Sequence, residues 1–177
     1  KGGGHGGRKV MEGPARKQNR LQNWDYSSPA AYFVTMCTQN RVPFLSEILV
    51  GAGFPGPRLT KYGRITDDVI QRISEKYPMV QREKYVIMPN HIHFIFRIEW
   101  ELCGPGNPAP TISTVMAWFK YQATKEINAL DGISGRRVFQ RSFHDHIIRN
   151  RAEYEKIWLY IDQNPLTWEQ DCFYPDE

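Results

Sequence analysis

The sequence has few cysteines and no long apolar run. Its three cysteines, Cys37, Cys103 and Cys172, are widely separated and form no Cys-x-x-Cys pair. Their number and spacing argue against a disulfide framework and against a cysteine zinc site. No apolar segment approaches the ~18–20 residues needed to cross a bilayer, and no segment is typical of a signal peptide. We therefore expect a cytoplasmic protein without a membrane partner.

Charge is distributed unevenly along the chain. Residues 157–177 contain five acids and no lysine or arginine, whereas residues 1–20 contain six basic residues and one acid. The net charge of +4 permits a polyanionic partner without requiring one. Residues 1–19 are rich in glycine, lysine and arginine and lack apolar periodicity. We expect them to be a disordered basic arm or a segment added for expression, followed by one domain over 20–177.

The apolar pattern predicts an α+β protein. In chain order the predicted elements are a strand over 31–38, a helix capped by Thr66, a hairpin of strands 80–88 and 91–97, a helix from Ile112 to Leu130, an extended run over 144–149 and a helix over 152–164. Segments 51–63 and 101–110 are rich in glycine and proline and are predicted loops. This order favours a ferredoxin-like antiparallel sheet with helices on one face, plus an extra C-terminal helix.

A pair of alternating histidines is the sharpest chemical feature. His91 and His93 are two apart on a predicted strand, so they project from the same face and can converge on one ion. The alternative is a pair merely exposed on the sheet. A second pair, His144 and His146, has the same spacing but no comparably apolar strand behind it. We interpret that pair as a surface or nucleic-acid-facing run.

The last predicted helix offers a tyrosine and an amide. Tyr160 and Asn164 are four residues apart and share an edge beside the apolar stripe. Tyr160 can therefore point its hydroxyl at a site, or it can be a half-buried packing residue with a hydrogen-bonded hydroxyl. Asn164 precedes Pro165, which biases it away from helical dihedral angles.

Aromatic and basic residues cluster on the long predicted helix. Trp118, Tyr121 and Lys125 lie on the side away from its apolar stripe. Aromatic rings beside a cation can stack on unpaired nucleotides and neutralise their phosphates. The alternative is that a loop or a second subunit covers these rings.

Four ordered motifs together resemble a known family. They are Met88-Pro89-Asn90-His91-Ile92-His93-Phe94, the helical segment 119–128, the run 139–150 from Phe139 to Asn150, and Tyr160-Ile161-Asp162-Gln163-Asn164-Pro165. These motifs are similar to those of the REP-associated tyrosine transposases, an IS200-like branch of the single-tyrosine HUH transposases. The similarity extends from about Asn19 to Pro165.

The resemblance implies a single-strand DNA endonuclease and strand transferase that acts on hairpin DNA of repetitive elements. It implies that His91 and His93 bind a metal ion, Mg²⁺ or Mn²⁺, and that Tyr160 is the nucleophile that forms a 5′-phosphotyrosine bond. Asn164 falls where the family places a third polar ligand. Mobile relatives usually have glutamine there, so Gln163 is an alternative ligand.

The expected partner is single-stranded or hairpin DNA, bound by a monomer or a homodimer. We select Arg141 and Arg149 as phosphate contacts, followed by Lys125 and Trp118; each arginine can instead form a structural ion pair. One alternative is a catalytically silent protein that binds DNA hairpins. A nucleotide hydrolase of the histidine-triad kind is disfavoured because Ile95 occupies the third alternating position.

Overall fold

The computed structural model describes residues 30–49, 56–99 and 110–175. Its strands are β1 (Ala30–Cys37), β2 (Ser46–Glu47), β3 (Arg58–Leu59), β4 (Val80–Ile87), β5 (His91–Ile98) and β6 (His144–Ile148). Its helices are α1 (Lys61–Gln71), α2 (Ile73–Lys76), α3 (Ile112–Asp131) and α4 (Arg151–Gln163), with 3-10 segments Gln39–Arg41 and Asn164–Gln170. The predicted basic arm, and most of the predicted loop 101–110, lie outside the described residues.

The main sheet has the strand order β4-β5-β1-β6, and all three neighbouring pairs are antiparallel. With α1 between β1 and β4 and α3 between β5 and β6, this is the ferredoxin-like topology that the order of elements predicts. In the register of the two central strands, Cys37 lies opposite His91 and Thr35 lies opposite His93. Both histidines therefore lie on β5, one of the two central strands of the sheet.

One face of the sheet packs on α1 and α3 and forms the main core. Alternate residues of β1 and β5 point into it, among them Val34, Phe94 and Phe96. α3 contributes a helical stripe that ends at Ile127. Leu130, predicted to continue this stripe, is 49% exposed because it lies in the last turn, beyond the residues that reach the core. Among the described helices, none is long and apolar enough to span a bilayer.

The additional helix α4 covers the opposite face, so helices lie on both sides of the sheet. Its buried Ile161 packs with Ala31, Ile95 and Ile148 in a second, smaller core. Tyr154, Ile157 and Trp158, the other predicted stripe residues, are partly buried against this core. The residues of β1 and β5 that face α4 include both predicted metal-binding histidines.

α1 begins earlier than the sequence pattern predicts. Its N-cap is Thr60, whose side chain accepts a hydrogen bond from the Gly63 amide at 3.2 Å. Thr66 lies inside the helix and donates from Oγ1 to the Tyr62 carbonyl at 2.8 Å. The prediction of a cap at Thr66 was wrong because the preceding glycines and prolines resemble a continuous loop, although the last of these glycines is helical.

Candidate active site

β5 brings His91 and His93 together on the face covered by α4. Both side chains are buried, with 0% and 1% exposure, and their Nε2 atoms are 3.1 Å apart. The remaining ring nitrogens have polar partners, since His91 Nδ1 lies 2.9 Å from Asn90 Oδ1 and His93 Nδ1 lies 2.8 Å from Thr35 Oγ1. These contacts fix both rings so that the Nε2 atoms converge.

Burial keeps the histidine pair neutral. Burial lowers the pKa of His91 to about 4, against the opposing effects of Asp171 and Asn164. Burial, followed by the charge of His91, lowers the pKa of His93 well below its ordinary value. Because Asn90 Oδ1 accepts from His91 Nδ1, the His91 Nε2 atom carries a lone pair. A neutral imidazole with a free lone pair is the form that binds a metal ion.

α4 places Tyr160 beside this pair. The Tyr160 hydroxyl lies 3.2 Å from His93 Nε2, and the two ring centroids are 5.1 Å apart. The Tyr160 ring also packs edge-on against Phe33, yet the residue is 41% exposed. Burial of the hydroxyl raises its pKa to about 12, and Asp171 and Cys172 act in the same direction. The phenol is therefore protonated at neutral pH and is reached from solvent as well as from the histidines.

Residues 164–175, which we call the C-terminal strap, close over the histidines. Within the strap Asp171 Oδ1 accepts a hydrogen bond from the Phe173 amide at 2.7 Å, which turns the chain back. The Phe173 ring centroid lies 4.6 Å from that of His91, and the Trp168 centroid lies 5.8 Å from it. The strap is thus the part of the chain that separates His91 from solvent.

The strap contributes a carboxylate that the sequence analysis missed. One potential ligand atom each from His91, His93 and Asp171 lies within 4.8 Å of the other two, so this group can hold a metal ion. Asp171 appeared in the sequence only as one of five acids near the C terminus, and that acidity was the sole signal. Its position in an irregular turn has no periodicity from which a face can be predicted.

Asn164 lies in the same cluster. Despite preceding Pro165 it has helical dihedral angles (φ −54°, ψ −42°), and its side chain is buried. Its Nδ2 donates to Asp171 Oδ2, while its Oδ1 is buried without a hydrogen-bond partner. Gln163, the alternative ligand, is exposed. The structure therefore brings Asn164, and not Gln163, into the buried cluster.

These donors fit a divalent cation. Two ligand atoms that each lie ~2.1 Å from an ion at a right angle are about 3.0 Å apart, which matches the 3.1 Å between the histidine Nε2 atoms. An amide oxygen without a partner and a carboxylate complete a mixed nitrogen and oxygen set. The hydrogen bonds that Asn90 and Thr35 make to the other ring nitrogens are also typical of metal-binding histidines.

Asn90 and Arg41 form the rim of the site. Asn90 Nδ2 donates to the Arg41 carbonyl at 3.1 Å and to the Phe173 carbonyl at 2.7 Å. Asn40 and Arg41 both have positive φ angles, 56° and 55°, which non-glycine residues rarely adopt. The Arg41 guanidinium lies 5.0 Å from the Phe173 ring centroid and is exposed. The sequence analysis did not select either residue.

The four predicted DNA contacts are spread over the molecule. Trp118 is partly buried edge-on against Tyr77, so a segment of the same chain covers it. Lys125 is exposed on α3. Arg141 precedes β6 at the sheet end that carries His91, because the neighbouring Gln140 amide donates to the Cys37 carbonyl. Arg149 follows β6 at the opposite end.

The second histidine pair does not converge. His146 Nε2 lies 2.7 Å from Glu153 Oε1, and His144 is exposed. A hydrogen bond to α4 and a solvent-facing ring agree with the interpretation of these histidines as surface residues.

Comparison of the sequence with known proteins gives one informative relative. No protein-family model matches the chain. A Haemophilus influenzae protein described as uncharacterized is 30% identical over 175 residues, which cover 91% of this chain and 94% of that protein.

The fold resembles those of two solved structures. The structure of a REP-associated tyrosine transposase bound to a REP hairpin matches with a TM-score of 0.59 and 21% identity, over 84% of this chain and 74% of that one. A suspected transposase from Deinococcus radiodurans matches with a TM-score of 0.47 and 11% identity, over 81% and 95% of the two chains. The chain therefore belongs to the family of the Haemophilus influenzae protein and has the fold of the REP-associated tyrosine transposase that its motifs resemble.

Proposed function

We propose that this protein is a metal-dependent single-strand DNA endonuclease and strand transferase that acts on hairpin DNA. The observation that carries the proposal is the Tyr160 hydroxyl 3.2 Å from a buried, neutral histidine pair. The fold likeness to a transposase bound to a REP hairpin supports the choice of DNA as substrate.

In this proposal His91 and His93 hold a divalent cation, Mg²⁺ or Mn²⁺. Asn164 Oδ1, which is buried without a hydrogen-bond partner, and the Asp171 carboxylate would supply its oxygen ligands. A bound cation would polarise the scissile phosphate and stabilise the charge that develops on it. Arg141, Lys125 and Arg149 remain proposed phosphate contacts.

Tyr160 acts as the nucleophile. Its hydroxyl oxygen attacks the phosphorus, the new bond is a 5′-phosphotyrosine ester, and the bond to the 3′ oxygen breaks. The phenol loses its proton to solvent, to which Tyr160 is 41% exposed, and the 3′ oxygen takes one up. Since the ester preserves the energy of the original linkage, a 3′-hydroxyl of another strand can reverse the step and complete transfer.

Access to the histidines requires movement of the strap. His91 and His93 are 0% and 1% exposed while Phe173 and Trp168 pack against His91. We expect a phosphate oxygen to reach the pair only after these rings are displaced, because the Tyr160 hydroxyl already contacts His93 Nε2 from α4.

The test is covalent capture of DNA. A pool of labelled single-stranded hairpin oligonucleotides with randomised flanks is mixed with the protein and Mn²⁺ and resolved on a denaturing gel. We expect an adduct with the natural chain and with the control Tyr154→Phe, and none with Tyr160→Phe. An undiminished adduct in Tyr160→Phe would assign the nucleophile to another residue, of which Tyr121 is the next candidate.

The closed strap favours one second candidate, a protein that binds hairpin DNA without cleaving it. The complete burial of His91 is the observation in its favour. In the same experiment this candidate predicts that labelled hairpins shift on a native gel while no adduct forms in any divalent ion.

A further inference from the structure

The chain folds back along α3 and forms a groove remote from Tyr160. α3 ends at Asp131, the following Gly132 turns the chain with a φ of 65°, and residues 133–139 return beside the helix. The Ile133 amide donates to the Asn128 carbonyl at 2.9 Å. Asn128 Nδ2 donates to the Arg136 carbonyl at 2.9 Å, and Arg136 Nε donates back to Asn128 Oδ1 at 3.1 Å. These hydrogen bonds hold the returning segment against α3, so that α3 forms one wall of the groove and residues 133–139 form the other.

The groove is positively charged. It has a volume of about 410 Å³, and its lining includes four basic side chains and no acidic one: Lys120, Lys125, Arg136 and Arg137. Lys120 Nζ is engaged with the carbonyls of Gln140 and Arg141, and Arg136 pairs with Asp131.

Two of these cations are available to a ligand. Lys125 and Arg137 are exposed, and neither forms an ion pair with any residue that the structure describes. They therefore leave uncompensated positive charge at the groove.

An exposed aromatic ring of α3 also lines the groove. Tyr121 is 64% exposed and stands one helical turn before Lys125. An exposed ring beside unpaired cations is the combination that binds unpaired nucleotides, because every base has a face that can stack and every phosphate is an anion. The volume is at the low end of ligand pockets, ~300–1,000 Å³, and suits a group of nucleotide size.

The groove and the proposed active site open at the same end of the sheet. The Gln39 amide donates to the Val138 carbonyl at 2.8 Å, and Thr38 forms a β-bridge with Phe139. The Thr38 amide in turn donates to the carbonyl of Asn90, the residue before His91. Two short segments thus connect the wall of the groove to the histidine pair.

We propose that this groove binds single-stranded DNA beside the hairpin or scissile segment, with a base stacked on Tyr121 and phosphates at Lys125 and Arg137. The proposal rests on the proposed function for the identity of the ligand. It replaces Trp118, which Tyr77 covers, with Tyr121 as the aromatic contact on α3. Tyr121 belongs to the aromatic and basic cluster that the sequence indicates on α3, whereas Arg137 was not among the residues selected from the sequence.

The test measures binding without cleavage. The affinity of the full chain for a fluorescein-labelled oligothymidylate is measured by anisotropy over a series of KCl concentrations, without divalent ions and in a Tyr160→Phe background. Tyr121→Ala should weaken binding about 5- to 100-fold with an unchanged salt dependence. Lys125→Gln and Arg137→Gln should each reduce the slope of log K against log salt by about 0.7. The changed side chains are exposed, so we expect little effect on folding.

The controls are surface residues outside the groove. Leu130→Ala on α3 should leave the affinity for the oligonucleotide unchanged. Lys76→Gln on α2 should leave the slope of log K against log salt unchanged. Unchanged affinity in Tyr121→Ala, or unchanged slopes in both charge variants, would overturn the proposal. Equal losses with a duplex of the same length would overturn the single-strand assignment in favour of a paired stem.

Failure of the proposed function is a separate result. If the groove variants shift binding as expected but Tyr160 forms no adduct with any hairpin, the groove stands and the nuclease proposal fails. If an adduct forms while the groove variants bind like the natural chain, the groove proposal fails alone.

Discussion

Asp171 would offer a divalent cation a carboxylate oxygen, and Asn164 would offer it an amide oxygen. Substituting each residue in turn shows which of the two oxygens binds the cation. A carboxylate brings negative charge to the two neutral imidazoles, so we expect Asp171→Asn to weaken Mn²⁺ binding about 10- to 100-fold. Calorimetric titration of the full chain with Mn²⁺ measures this directly. Glu169→Gln, an exposed acid of the same strap, is the matched control and should bind normally.

The converse variant is Asn164→Ala. Normal Mn²⁺ binding by Asp171→Asn together with a large loss in Asn164→Ala would assign the oxygen ligand to the amide, as the sequence motif implies. Loss in both would agree with Asn164 Nδ2 holding Asp171 in place.

At the scale of residues, the sequence predicts the face of a strand or helix on which a side chain lies, because that face follows from the periodicity of the element. Side chains two positions apart on a strand lie on the same face, and His91 and His93 do so. Their closeness to Tyr160, which lies 67 positions after His93, has no local signal and was implied only by the family resemblance. Asp171 was unpredictable because a turn defined by its own side-chain hydrogen bond, and not a helix or strand, directs it to the histidines.

At the scale of elements, Gly63 allows α1 to pack closely on the segment that carries Leu45. A Cβ at this position would lie 2.0 Å from the Leu45 carbonyl oxygen. Alanine normally favours a helix over glycine by ~1 kcal/mol, but here the overlap forces a backbone shift. We expect Gly63→Ala to lower the free energy of unfolding by about 1–3 kcal/mol, as measured by urea denaturation.

Gly56→Ala is the matched control for this prediction. No atom of the described residues lies within 4 Å of a Cβ built at Gly56, and its φ is not positive. Its stability should be close to that of the natural chain. Gly63→Ala of equal or greater stability than the natural chain would contradict the close approach of α1 to Leu45.

Lys120 links α3 to the segment before β6 and makes stability depend on pH. Burial lowers its pKa to about 8 from an ordinary 10.5. Between these values the unfolded chain holds a proton that the folded chain has released, so the contribution of Lys120 to stability rises with pH. The difference in unfolding free energy between the natural chain and Lys120→Met should therefore shift in favour of the natural chain from pH 7.5 to pH 9.5.

Urea denaturation at the two pH values checks this prediction. Lys125→Met, on the exposed side of the same helix, serves as the control and should show no such shift. A difference that is constant with pH would mean that the Lys120 ammonium remains fully charged throughout this range.

The start of α1 shows why element boundaries are harder to predict than elements. The apolar spacing of Val69, Ile70 and Ile73 indicates a helix, and the structure confirms it. The true cap, Thr60, stands at the end of a segment dominated by glycine and proline. Its capping role depends on a helical glycine that tertiary packing selects, and packing is not visible in a local pattern.

At the scale of the whole molecule, one chain contains the complete proposed site. β5, α4 and the strap of the same chain supply the histidine pair, Tyr160 and Asp171. If the chain acts in this arrangement, a mixture of Tyr160→Phe with His91→Ala chains should form no adduct. A site shared between two chains that pair at random would instead restore about a quarter of the activity in an equal mixture, which the denaturing gel would reveal.

The overall topology was predictable because the order of strands and helices permits few sheets. The resemblance implied the same fold, and the strand order confirms it. The face covered by the extra helix was not predictable from order alone. It follows from Ile161 packing on Ala31, Ile95 and Ile148, a set that only the folded sheet brings together.

Asn90 is one uncharged side chain that connects three parts of the proposed site through hydrogen bonds. It faces two carbonyl oxygens with its nitrogen and one imidazole N–H with its oxygen. Aspartate, which has the same shape, would place a negatively charged oxygen next to both carbonyl oxygens and repel them. Glutamine is one methylene longer and would not fit the same three hydrogen-bond distances. Asparagine is consequently the one standard residue of this size that joins the hairpin turn, the rim and the strap while leaving a lone pair on His91 Nε2.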